Sequence, residues 1–203
     1  MRFILKLTTI LSMVFSQVSA QDINNGINAY KSGDYITAFK EFKPLAEQGD
    51  AYAQNNLGLM YKYGNGVPMD TEKATKWIRL SANQGLDIAQ NYIGNIYEIG
   101  LGVTQDYSEA LKWYTLSAEQ GYDFAQNRLG NLYSMGLGVL QDNVTAHMWY
   151  NIASANGHEG AGERRDEISH KMTNEDISIA ARMARECVKS DYKNCGYSIN
   201  SNN

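Results

Sequence analysis

Cysteine and proline are both nearly missing from this chain of 203 residues: there are two of each, and both cysteines lie beyond residue 186. So little proline argues against a loop-rich fold. Cations are the minority charge, 18 Lys+Arg against 22 Asp+Glu. Two of them, Arg2 and Lys6, fall in the first twenty residues, which hold no acid. The remainder therefore carries 16 basic and 22 acidic groups, a net of −6. Such a surface repels a phosphate backbone unless its cations are clustered, and no basic run occurs, so a generic nucleic-acid binder is excluded. Past the first segment no stretch approaches the roughly 18 apolar residues of a spanning helix, so no membrane span is expected. What is present is 43% apolar residues, enough for one domain or two small ones, with 18 Gly and 14 Tyr pointing to recurrent turns and tight contacts.

Residues 1–20 combine early cations, an apolar stretch from Leu7 to Phe15 and small residues at Val18-Ser19-Ala20. This is the pattern of a secretory signal peptide cleaved before Gln21. No cysteine stands near Ala20 to accept a lipid. The expectation is an exported protein, periplasmic or secreted.

The rest of the chain repeats with a period of 36. Ala-Gln-Asn opens three blocks at Ala53, Ala89 and Ala125, and Gly58, Gly94 and Gly130 follow in phase. So do Tyr61, Tyr97 and Tyr133; the pairs Gly64/Gly66, Gly100/Gly102 and Gly136/Gly138; Asp70, Asp106 and Asp142; and all three Trp, at 77, 113 and 149. Each block reads as two helices. Ala89, Ile93, Ile96 and Tyr97 lie on one face of the first, and Ala110, Trp113, Tyr114 and Ser117 on one face of the second. Gly94 in mid-helix costs about 1 kcal/mol against Ala, so its recurrence predicts a helix crossing close by. Asp106 suits the N-cap of the second helix. The spacing thus predicts an all-α chain: full repeats at 53–88, 89–124 and 125–160, flanked by degenerate half-repeats at 22–52 and 161–190, one solenoid over 21–190. Arg165 and Asp166 replace apolar positions of the repeat and suit a solvent-facing cap. Thr173 to Asp176 resembles a capping box opening a last helix, and 191–203 is a polar tail.

The pattern Ala-x-x-x-Leu-Gly-x-x-Tyr-x-x-Gly-x-Gly-Val-x-x-Asp-x-x-x-Ala-x-x-Trp resembles the Sel-1-like repeat, a relative of the tetratricopeptide repeat. The resemblance covers nearly the whole mature chain and implies an α/α right-handed superhelical solenoid. It also implies a non-enzymatic adaptor that binds proteins, peptides or cell-wall polymers on its curved surface. A cysteine-rich exported branch of the family has been associated with penicillin binding and β-lactamase activity, which supplies the alternative, a hydrolase. That branch carries a Cys pair in every unit, whereas the repeats here contain none.

No other chemistry stands out. Cys187 and Cys195 read as a structural disulfide in an exported protein. His147, His158 and His170 lack metal spacing, so neither metal nor cofactor is expected. Gly-x-Gly-Val follows a helix rather than a strand, which excludes a nucleotide loop, and the aspartate series gives too few oxygens for calcium. Asn143-Val144-Thr145 fits a glycosylation acceptor. What remains is surface. Asn55, Leu59 and Lys62, then Asn91, Asn95 and Glu98, then Asn127, Asn131 and Ser134 share one face of the first helices at i, i+4 and i+7. Tyr92 and Arg128 lie beside them. The expectation is a polar groove for a protein or peptide partner, or a cell-envelope glycan. The competing surface is that of the second helices, with Lys76, Glu109 and Lys112.

Overall fold

The computed structural model describes residues 23–193 and 195. The predicted signal segment and most of the polar tail lie outside the described residues. Ten helices and no strand occur among them: α1 (23–31), α2 (Tyr35–Glu47), α3 (Ala51–Tyr63), α4 (Thr71–Asn83), α5 (Asp87–Ile99), α6 (Tyr107–Ala118), α7 (Asp123–Met135), α8 (Asn143–Ala155), α9 (Ala161–Ser169) and α10 (Asn174–Lys189). The all-α arrangement of helix pairs is as the periodicity predicts.

Local signals set the helix ends. Asp34, Asp70, Asp106 and Asp142 each accept a backbone N–H in the first turn of the helix that follows, and Thr173 with Asp176 forms the predicted capping box. Gly64, Gly100 and Gly136 end the first helices in the left-handed region, at φ near +70°, which side chains resist. The loop then closes on itself. The amide of Asp70, Asp106 or Asp142 donates to the carbonyl of Tyr61, Tyr97 or Tyr133, at 2.9 Å in every repeat.

The chain divides between Gln84 and Gly85 into two compact units. In the first, α2 packs on α3 and α3 on α4 around Ala38, Phe42, Leu45, Leu57 and Met60, with Trp77 half-buried against them. In the second, α5 pairs with α6, α7 with α8, and α8 carries both α9 and α10. Its core joins Tyr114, Leu129, Leu132, Met148, Trp149 and Ile152 to Met183, Ala184 and Cys187 of α10. Cys187 and Cys195 are placed for a disulfide, their Cα atoms 4.9 Å apart, and both are buried.

The glutamines of the Ala-Gln-Asn signature are buried links. Gln126 Nε2 donates to the Ala118 carbonyl of α6 at 3.2 Å, and its Oε1 accepts from Asn156 Nδ2 at 2.9 Å. In the same unit Gln120 Nε2 donates to Gln90 Oε1 at 2.7 Å. In the first unit Gln84 Nε2 likewise meets Gln54 Oε1 at 2.8 Å. These pairings satisfy amides that burial would otherwise penalise.

One packing expectation needs correction. The apolar face of the second helix predicts a buried Trp113, yet Trp113 and Trp77 are only half-buried, while Trp149 is 2% exposed. Trp149 shares its core with α10, a helix that follows the last repeat alone. The aromatic residue buried on α6 is instead the neighbour, Tyr114.

Candidate functional site

The mid-helix glycines make room for rings. A Cβ on Gly94 would lie 2.8 Å from the ring of Tyr114, and one on Gly130 would lie 2.5 Å from that of Tyr150. Each ring lies against the first helix at its glycine, and its hydroxyl reaches polar residues within the next turn. Tyr114 Oη donates to Glu98 Oε2 at 2.5 Å. Tyr150 Oη donates to Asn131 Oδ1 at 2.9 Å and lies 3.3 Å from Ser134 Oγ. Burial raises the pKa of both phenols, with the Glu98 carboxylate adding to the rise at Tyr114, so they stay protonated donors. In the first unit the same place beside Gly58 is taken by Ile78, which has no hydroxyl.

This geometry changes the meaning of the polar first-helix residues. Asn55 and Asn127 are 4% and 5% exposed, beneath the surface rather than on it. Asn127 Oδ1 accepts from Arg164 Nη1 at 2.7 Å, whereas the buried Oδ1 atoms of Asn55 and Asn91 have no hydrogen-bond partner. Glu98 is held by Tyr114 and forms an ion pair with Arg128 at 3.7 Å. Asn95 also hydrogen-bonds Tyr114. Ser134 Oγ donates to the Asn131 carbonyl at 3.0 Å. Lys62 lies over the Tyr63 ring, 5.2 Å from its centroid, and Tyr92 is half-buried. The predicted groove residues of α5 and α7 are therefore largely spent on internal bonds. The physical reason is that their face turns toward the second helix of the same repeat, where a Tyr hydroxyl is available to pair with them.

Around α7, α8 and α9 the chain leaves an open cleft of about 330 Å³. Asn131, Ser134 and Met135 of α7 form one wall, with Met135 58% exposed. Gln141 and Asn143, at the start of α8, form a second wall, and Tyr150 reaches in from the same helix. The third wall is Arg164, Glu167 and Ile168 of α9, with Lys171 just beyond. Asn131 and Ser134, expected in a groove along the first helices, line this cleft together with α9, which the sequence reading takes for a solvent-facing cap. Arg165 and Asp166 do pair with each other at 2.7 Å, but Arg164, one repeat length after Arg128, faces the cleft. That offset of 36 was the available signal. Asn143 of the glycosylation motif also lines the cleft, and its partner Thr145 is buried and donates to Asp142 Oδ2 at 2.6 Å.

Among the described residues no group of His, Cys, Asp and Glu is placed to hold a metal ion. One Ser-x-x-Lys spacing runs from Ser190 to Lys193; Ser190 Oγ donates to the carbonyls of Cys187 and Lys193 at 2.9 and 2.8 Å, a turn rather than a poised nucleophile. His147 is 5% exposed, with Nδ1 unpartnered. Burial lowers its pKa below the ordinary 6.5, the Arg165 charge lowers it further, and Asp166 opposes them. Unfolding therefore takes up a proton below about pH 6.5, and stability falls as pH drops through that value. Urea unfolding at pH 7.5 and 5.5 should show this loss, and His147→Gln should flatten it; an equal loss in the variant would place the titrating group elsewhere.

The Sel1 repeat family model matches residues 51–86, 87–122 and 123–158. The chain is similar to a Sel1 repeat protein from Oxalobacter formigenes: 36% identical, covering 64% of this chain and 97% of that one, with a TM-score of 0.59. It is also similar to c5321, a protective antigen present in uropathogenic Escherichia coli strains and displaying an SLR fold. That match is 32% identical and covers 86% of this chain but 39% of the antigen, with a TM-score of 0.72. DAP3-binding cell death enhancer 1 of Rattus norvegicus is 43% identical over 49 residues, 24% of this chain and 10% of that protein. With three tandem matches covering more than half its length and neighbours that share its helix-pair architecture, the chain belongs to the Sel1 repeat family.

Proposed function

We propose that this protein is an exported, non-enzymatic adaptor that binds a segment of another protein on the α7–α9 side of its second unit. Sel1 repeat proteins mediate protein–protein interaction, which sets the class of function. The observation that carries the location is the cleft between α7, α8 and α9, where Arg164, Glu167 and Lys171 stand beside the side-chain amides of Asn131 and Asn143. An exposed Met135 at its edge adds the apolar contact that interfaces use at their centre. The signal-like residues 1–20 and a cysteine pair placed for a disulfide support export.

Site-specific photocrosslinking tests the reading. A photoreactive residue at Met135 should yield a discrete protein adduct in the native envelope, and one at Lys112 of α6 should not. Adducts from Lys112 alone would move the interface to the second helices, and no protein adduct from either position would refute the adaptor reading.

A further inference from the structure

The hydrogen bonds around the cleft leave a surplus of donors. Asn131 spends its Oδ1 on the Tyr150 hydroxyl, so the group it has left is its amide NH2. Arg164 spends Nη1 on Asn127 Oδ1, which leaves Nε and Nη2. That bond also fixes the guanidinium, because Asn127 is buried. Ser134 donates to a backbone carbonyl and is spent. Lys171 forms no ion pair with any described residue, so its three ammonium protons face solvent. On the acceptor side stand Glu167, also without an ion pair, and Gln141 Oε1, since Gln141 Nε2 is used on the Ser134 carbonyl at 2.7 Å. Two cations against one acid make the cleft locally positive in a chain whose formal net charge is −4.

We propose that the cleft binds an acidic side chain, Asp or Glu, of a partner polypeptide, with the carboxylate held by Lys171, the free edge of Arg164 and the Asn131 amide. This deepens the adaptor reading above and rests on it. The chemistry follows from the leftovers: a carboxylate offers only acceptors, and a site with fixed, unspent N–H groups gains charge-assisted hydrogen bonds that neutral ligands do not supply. Arg164 is the anchor because its Asn127 bond orients the planar fork before a ligand arrives, so little side-chain entropy remains to be lost. A peptide fits the remaining groups. Its N–H and C=O groups match Gln141 Oε1 and the Asn143 amide, and its side-chain methylenes match Met135 and Ile168. At about 330 Å³ the cleft lies at the low end of the range for ligand sites, room for a short stretch of chain rather than a folded surface. Glu167 sets the specificity in the other direction, repelling the acid unless Lys171 and Arg164 outweigh it.

The test is a titration of the purified, 15N-labelled chain with acetyl-tetraglutamate amide, acetyl-tetraglutamine amide and tetragalacturonate, following the side-chain NH2 signals of Asn131 and Asn143. The glutamate peptide should shift both signals and bind at least tenfold more tightly than the glutamine peptide, with affinity falling as salt rises. Lys171→Gln should weaken it at least fivefold, and Glu167→Gln should strengthen it about threefold. Both positions are exposed on or beside α9, and unchanged signals elsewhere in the spectrum verify the fold. Equal binding of the two peptides, still Asn131 and Asn143 signals, or indifference to both substitutions would overturn the proposal. So would tetragalacturonate shifting these signals where tetraglutamate does not, which would make the cleft a glycan site. A protein adduct at Met135 alongside a silent tetraglutamate titration would sink the acidic-side-chain proposal alone. Absence of any protein adduct would sink the adaptor reading whatever the titration gave.

Discussion

Trp149→Ala should destabilise the second unit by about 3–5 kcal/mol, the cost of truncating a fully buried aromatic, while Trp113→Ala should cost only about 1–2 kcal/mol, in proportion to the smaller area it buries. The two side chains hold the same register in successive repeats, so the difference isolates tertiary context. Trp149 is enclosed with Met183, Ala184 and Cys187 of α10, and Trp113 is half-buried. Urea unfolding followed by far-UV circular dichroism reads both changes. Fluorescence of the two variants supplies an independent check, since loss of Trp149 should remove the most blue-shifted part of the emission. Equal costs for the two substitutions would mean that α10 does not dock on α8.

Gly138→Ala should cost about 2–5 kcal/mol, and Gly157→Ala about 1–2 kcal/mol. Both glycines lie in the left-handed region, at φ +68° and +98°, where a side chain costs roughly 1–2 kcal/mol. Only at Gly138 is there also a steric term. A Cβ there would stand 2.5 Å from the backbone carbonyl carbon of Tyr107 and 2.6 Å from its oxygen, whereas at Gly157 nothing lies within 4 Å. Backbone cannot rotate aside as a side chain can, so α6 and the α7–α8 loop would have to separate, at a further cost of roughly 1–3 kcal/mol. Gly66 meets the Tyr35 backbone in the same way, at 2.6 Å, within the first unit. Thermal unfolding of the two alanine variants checks the contrast; similar melting temperatures would show that conformation alone accounts for these glycines. Gly66 and Gly138, each the second glycine of its Gly-x-Gly pair, are thus contacts between consecutive helix pairs as well as turns.

The groove expectation shows where reasoning from pattern stops. Exemption from the apolar repeat pattern put Asn131 and Ser134 in a first-helix groove, and they line the cleft beside α9. The same logic put Asn55 and Asn127 on the surface, and they are buried, because a polar residue outside the motif is free to bind either a partner or its own fold. Tyr114 and Tyr150 decide between these outcomes. At that position the first repeat has Ile78, and the residues facing it, Leu59 and Lys62, replace Asn95 and Glu98 or Asn131 and Ser134. The exchange of Ile for Tyr, together with Leu59 for Asn on the first helix, is visible in the sequence. Its meaning depends on the ring crossing over a mid-helix glycine, which no count of spacings contains.

The sequence by itself determined the elements of this protein: the period of 36, the two helices in each period, the aspartate caps, the left-handed glycine stops and the close approach at Gly94 and Gly130. Those features are local, or repeat often enough that one physical solution satisfies every copy. Tertiary structure alone decided which equivalent positions differ. It buried Trp149 and left Trp113 half-covered, turned Arg164 of the degenerate half-repeat inward onto Asn127, and opened a cleft where α9 follows α8. A repeat pattern describes the average environment of a position. Burial and pairing at the end of an array depend on the particular neighbour that packs there, and for Trp149 that neighbour, α10, lies outside the repeats.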